Sequence, residues 1–216
     1  MSTVFPAFPT PVYSAKIRGS TFDKVQKEIE NSLPNVDFRL NPHFGDTHFL
    51  SDPEFKENYF DKHSLNALKD VIDEHLKDYM QKIGYLEDLK YHYDSSWVAL
   101  FKPGNYGHIH DHGSVDISGV YYYKTNGDDG KIFFESPNTN LASSVAFNHL
   151  SYSITQDPEE GKLLLFPGWF KHGIKRNNSD ETRMSLSFNI YLDNVRSDDI
   201  NPWQEVTTTT DYGAHD

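Results

Sequence analysis

The sequence predicts an α+β domain that is mainly β: a sandwich or barrel of mostly antiparallel strands backed by helices near the N-terminus. Three observations carry this. Two segments before residue 85 repeat apolar residues at helical spacing. After residue 85, short runs of Val, Ile, Phe and Tyr are separated by turn signals. The chain also has 15 Phe and 13 Tyr among its 216 residues, side chains that carry much apolar area and suit strands. Helices followed by a run of strands is the order of an α+β domain. This length fits one domain and allows about 70% of the unfolded surface to be buried.

The first helix is expected in "GSTFDKVQKEIENSL", with Ser20 or Thr21 as cap and Phe22, Val25, Ile29 and Leu33 on one face. The second lies in "HSLNALKDVIDEHLKDYMQKIGY". Ser64 is its expected cap, and Leu65, Leu68, Val71, Ile72, Leu76, Tyr79, Met80 and Ile83 make a broad apolar stripe, with Gly84 placed to end it. His75 lies beside that stripe and reads as a surface histidine. The strands follow in "SSWVALF", "ISGVYYYK", "KIFFES", "KLLLFP", "HGIKRN" and "TRMSLSFNIYL", divided by turns such as "KPGNYG", "TNGDDG" and "DPEEG". From about residue 198 the chain becomes a polar tail, in which His215 reads as inert. The whole is expected to be a single domain, with helical support over about residues 18–86 and a strand core over about 90–195.

A net charge of −12 argues against direct binding to nucleic acid or an anionic membrane, because phosphate contacts need clustered Lys and Arg. With no cysteine, disulfides, thiolate metal sites and cysteine nucleophiles are excluded, so any metal must rest on His, Asp or Glu. No signal peptide is read at the N-terminus, and no apolar run approaches the roughly 18 residues of a membrane span. The expected location is cytoplasmic.

The chemistry gathers in three places. "GHIHDHGSVDISGVYYYK" holds three of the eleven histidines. On a strand, residues two apart point the same way, so His108 with His110, or His110 with His112, could aim two imidazoles at one ion, a donor type that suits iron, zinc, copper and nickel. Further on, "LLLFPGWFKHGI" places His172 after a Pro-Gly turn. Last, "RMSLSFNIYL" alternates: Met184, Leu186, Phe188, Ile190 and Leu192 share one face, and Arg183, Ser185, Ser187, Asn189 and Tyr191 the other. That polar face meets either water or a cavity. In a cavity, Arg183 would be a fixed, planar, doubly donating cation suited to a carboxylate.

The order His-x-His, then His, then Arg-x-Ser on a strand-rich chain resembles the 2-oxoglutarate- and Fe(II)-dependent oxygenases. It most resembles a family of bacteria and marine phages with H-x-H…SGVYY, G-x-L-x-F-P…H and R-x-S-x-S-F-N motifs; "AFPTPVYSAKI" at the N-terminus supports the likeness, which is clearest over residues 97–192. The resemblance implies a double-stranded β-helix (jelly roll), and a dioxygenase that uses Fe(II), 2-oxoglutarate and O2 to hydroxylate an unactivated C–H bond, releasing succinate and CO2. It implies that His110 and His172 bind the iron, that Arg183 and Ser185 hold the distal carboxylate of 2-oxoglutarate, and that Tyr121 or Tyr122 adds a hydroxyl to that pocket. The position of Ser118-Gly119 in the pattern selects His110 and His112 as the H-x-H pair and moves His108 to the entrance.

The wider superfamily keeps a carboxylate where this chain has His112, so the third ligand stays open between His112, Asp111 re-aimed by a bulge, and another residue or water. The aromatic residues Trp97, Tyr91 and Tyr93 are candidates for the cavity wall or for core packing. The expected substrate is a peptide or protein residue or a small metabolite, met in the cytoplasm, or in the host cytoplasm if the gene is carried by a phage. Two other readings fit the residues: a cupin-like three-histidine metalloenzyme that uses no 2-oxoglutarate, and a non-enzymatic jelly-roll binding module.

Overall fold

The computed structural model describes residues 9–42, 45–85, 88–148 and 153–193. The polar tail expected from residue 198, with His215, lies outside them. Among the described residues strand outweighs helix, and every pairing between named strands is antiparallel. In chain order the elements are β1 (Tyr13–Lys16), α1 (Gly19–Ser32), β2 (Arg39–Leu40), β3 (Phe49–Leu50), α2 (Tyr59–Lys62), α3 (Asn66–Lys82), β4 (Tyr91–Phe101), β5 (Gly107–His110) and β6 (Ile117–Lys124). They continue with β7 (Ile132–Glu135), β8 (Ser153–Gln156), β9 (Lys162–Pro167), β10 (His172–Ile174) and β11 (Arg183–Leu192).

Two sheets result. The larger runs β1-β9-β6-β11-β4-β3-β2 and the smaller β5-β10-β7-β8. Strand alternation divides each central strand of the larger sheet between two environments. On β9, Leu163 and Leu165 pack with the helices, while Leu164 and Phe166 join Val120, Tyr122, Ile132, Phe134 and Phe170 towards the smaller sheet. That double burial explains why "KLLLFP" reads as a continuous apolar run. On β11, Leu186, Phe188 and Ile190 face the helices. The helices thus cover one face of the larger sheet, and the other face turns towards the smaller sheet.

The helical stripes behave as their spacing predicts: Val25 and Ile29 of α1 are buried, as are Leu68, Val71, Ile72, Leu76, Tyr79 and Met80 of α3. Their starts differ from expectation. Helix α1 begins at Gly19 after Arg18, without a side-chain cap, so neither Ser20 nor Thr21 fills that role. Ser64 does not cap α3 either; it lies before the helix at φ 53°. Instead the Glu28 carboxylate, from α1, accepts the backbone N–H groups of Ala67 (3.0 Å) and Leu68 (3.1 Å). The orphan donors at the start of α3 are satisfied by a neighbouring helix rather than by a local residue. At the other end Gly84 adopts φ 84°, and the Tyr85 N–H reaches the Met80 carbonyl (2.9 Å), which closes the helix as expected.

Candidate metal centre

Between the two sheets lies a cavity of about 370 Å³. Arg183, Ser185, Ser187, Asn189 and Tyr191, the polar face of β11, all line it, so that face meets a cavity and not bulk water. The smaller sheet supplies His110 and His172.

The His110, His112 and His172 rings offer ligand nitrogens that all lie within 4.8 Å of one another, and they form the one such cluster among the described residues. Strand register brings two of them together. His172 of β10 sits directly opposite His110 of β5, with ring centroids 4.5 Å apart. His112 arrives differently. Strand β5 ends at His110, so His112 stands in the loop beyond it. Its N–H donates to the Gly168 carbonyl (2.8 Å), which ties this loop to the Pro167-Gly168 turn that leads to β10. A Cβ on Gly168 would fall 2.2 Å from the Val115 carbonyl oxygen, so only glycine allows the two loops to approach this closely.

Each imidazole uses Nδ1 on an oxygen acceptor. His110 Nδ1–H donates to the His108 carbonyl (2.8 Å), His172 Nδ1–H to the Phe170 carbonyl (2.9 Å), and His112 Nδ1–H to Asn189 Oδ1 (2.6 Å). Carbonyl and amide oxygens only accept, so the protonated nitrogen is fixed and Nε2 carries the lone pair. Burial keeps the rings neutral. It lowers the pKa of His110, lowers His112 to about 4 and lowers His172 well below the ordinary value, with the neighbouring histidines adding to the effect on His112 and His172. His112 Nε2 is buried and has no hydrogen-bond partner. Three neutral imidazoles in this posture are competent metal ligands.

Arg183 is fully buried. Its guanidinium lies between Phe101 (4.8 Å) and Tyr122 (4.9 Å) and donates one bond to the Gly130 carbonyl (3.3 Å), while Nε has no partner. No acidic side chain lies within ion-pair distance among the described residues. Burial disfavours the cation, and Tyr122 and Asp129 offset this in part. A buried guanidinium with aromatic faces on either side and unused donors is built to receive an anion.

The other expected residues divide. Ser185 lines the cavity, paired across the sheet with Tyr122 and Ala99. Of the two tyrosines, Tyr122 takes the Arg183 face, and Tyr121 sits on the opposite face, in the core shared with the helices. Asp111 is exposed, its carboxylate accepts the Gly113 N–H (3.1 Å), and it stands outside the three-ligand cluster. His108 lines the cavity from an exposed position. Trp97 faces the cavity and stacks on His112 (6.0 Å), whereas Tyr91 and Tyr93 pack against the helix-side core. Two participants escaped the sequence reading. His48 lines the cavity, stacked on Phe101 (4.7 Å), with burial as the main force lowering its pKa to about 4. Asn189 touches His112; its place on the polar face was visible, but its partner was not.

Residues 95–189 match the model of a family described as "Putative 2OG-Fe(II) oxygenase". No curated protein matches the chain. Among solved structures, SnoK, a non-heme alpha-ketoglutarate-dependent carbocyclase from nogalamycin biosynthesis, superposes with a TM-score of 0.60 at 11% identity, over 85% of this chain and 80% of its own. A prolyl hydroxylase from Trichoplax adhaerens, solved with a hypoxia-inducible-factor peptide, gives 0.58 at 15% identity, over 83% of both chains. HygX from Streptomyces hygroscopicus, solved with nickel, 2-oxoglutarate and hygromycin B, gives 0.54 at 12% identity, over 84% and 82%. At these identities the likeness is one of fold. The family match over residues 95–189 supports a 2-oxoglutarate-dependent oxygenase that works with Fe(II), 2-oxoglutarate and O2, and the neighbours support its fold. The residues present fit those groups: three neutral imidazoles suit iron, and the unpartnered His112 Nε2 and Arg183 Nε mark places for a Lewis acid and an anion. No described helix is long and apolar enough to cross a membrane.

Proposed function

We propose that this chain holds Fe(II) on His110, His112 and His172, binds 2-oxoglutarate against Arg183 and Ser185, and hydroxylates a C–H bond of a peptide or protein residue or of a small metabolite. The balanced reaction is 2-oxoglutarate + O2 + R–H → succinate + CO2 + R–OH. The observation that carries this is a single cavity whose wall holds both a cluster of three imidazoles and a buried guanidinium with no acidic partner among the described residues. The chain works as one unit, a double-stranded β-helix in which the α1/α3 stripe closes the back of the sheet whose front carries Arg183.

Fe(II), when bound, supplies with O2 and the keto acid the oxidising power that breaks an unactivated C–H bond. The protein supplies position. Arg183 meets the distal carboxylate with fixed donors, and the flanking rings of Phe101 and Tyr122 keep water from competing for them. Ser185, next on the same face, offers a hydroxyl to that carboxylate. His110 and His172 are held by main-chain carbonyls and His112 by Asn189, so all three present Nε2 to one point. Asp111 remains the alternative third ligand, but its bond to the Gly113 N–H favours His112. Trp97 of β4 walls His112 on the side of the larger sheet.

Purified protein given Fe(II) and 2-oxoglutarate is expected to form succinate, and R183A to raise the KM for 2-oxoglutarate by about 10-fold or more, the scale of a lost charge-assisted pair. Succinate formation with an unchanged KM in R183A would remove Arg183 from this role. The all-histidine donor set also fits a cupin-like metalloenzyme that uses no keto acid. The buried Arg183, with no acidic partner among the described residues, argues against it, and that enzyme would turn over without forming succinate.

A further inference from the structure

We infer that Asn189 is a positioning residue that fixes His112 as the third metal ligand and is itself held in place by the hydroxyls of Ser118 and Ser95. The inference rests on the metal reading of the three histidines. Strand register makes the arrangement. Asn189 of β11 lies opposite Ser118 of β6 on one side and Ser95 of β4 on the other, and all three are buried. Ser118 Oγ–H donates to Asn189 Oδ1 (3.0 Å), and Asn189 Nδ2–H donates to Ser95 Oγ (3.1 Å). The two hydroxyls hold the amide at both ends, and as it stands it offers its oxygen to His112 Nδ1–H (2.6 Å).

His112 needs this more than its fellows do. His110 and His172 sit on strands, and each rests Nδ1 on a main-chain carbonyl. His112 stands on a loop, and it is the one member of the cluster whose Nδ1 rests on a side chain. Were the amide reversed, its NH2 would face the imidazole N–H, and the ring would lose the bond that sets its tautomer and angle. An acceptor on the remote nitrogen of a ligating histidine both orients the ring and raises its basicity. Asparagine does so without adding charge.

The test is Co(II) binding to metal-free protein, followed by titration calorimetry and by the visible d–d spectrum. Wild type is expected to bind one equivalent. N189A should weaken binding by about 10- to 100-fold and alter the spectrum, and N189D should restore or exceed wild-type affinity. In an H112A background, N189A should add no further loss. The S95A/S118A variant removes only two hydroxyls and should weaken binding several-fold, which keeps the test available should N189A not fold. Binding of N189A or S95A/S118A within twofold of wild type would overturn the inference, as would an equal loss from N189A with or without His112. A purely structural Asn189 would lower the melting temperature of metal-free protein and leave Co(II) affinity unmoved. Wild type that takes no Co(II) would overturn the metal reading as well, and so distinguishes the two failures.

Discussion

Arg183 and the half-buried His112 each have a buried polar atom left unpartnered, and each makes sense when a ligand supplies what is missing. Such groups have a cost that shows in the empty protein. His48 and His112 have folded-state pKa values near 4, against an ordinary value of 6.5. In the unfolded chain each takes its proton near the ordinary value. Below it the unfolded state binds more protons than the native state, so stability falls with pH. Metal-free protein is therefore expected to hold its melting temperature above pH of about 6.5 and to lose it progressively as the pH falls towards 4. Thermal melts across that range check this, and a flat profile would show that these imidazoles are not buried in solution.

At the scale of elements, β11 organises the site. Its alternation is plain in the sequence, and so is the apolar stripe of α3, because each rests on a local period that burial enforces. The sequence could not say whether the polar face of β11 met water or a cavity; β5, β7 and β10, brought opposite from other parts of the chain, decide that. Strands β1, β2, β3 and β8 went unread. They are two to four residues long, too short to leave a periodic trace, and β1, β2 and β8 also lie at sheet edges. The α3 start was misassigned because its cap, Glu28, lies far away in sequence. His112 was read as strand by its spacing from His110, yet a loop carries it, and the contact with Asn189 depends on register across β6, β11 and β4. One glycine reports that register. On Gly119 of β6 a Cβ would fall 2.2 Å from Phe188 Cζ and 2.9 Å from Leu165 Cδ2, atoms of the strands on either side. G119A is expected to cost about 1–3 kcal/mol and to lower the melting temperature by roughly 2–12 °C. A variant as stable as wild type would mean that β6 does not pack against β11 and β9 in this register.

On the scale of the molecule, the larger sheet separates two tasks. Its back, sealed by α1 and α3, provides the apolar core. Its front, with the smaller sheet, provides a cavity with imidazoles from β5, β10 and the loop after β5, and the guanidinium from β11. The order of these residues along the chain was legible, and it is their order that resembles the oxygenases; their convergence on one cavity belongs to the fold. The central claim is that iron and keto acid meet in that cavity, and its most direct test is optical. Anaerobic addition of 2-oxoglutarate to the Fe(II)-loaded protein should produce a visible metal-to-ligand charge-transfer band, with saturation shifted to higher 2-oxoglutarate concentration in R183A. No band in the wild-type protein, with Fe(II) bound and 2-oxoglutarate in excess, would contradict the account.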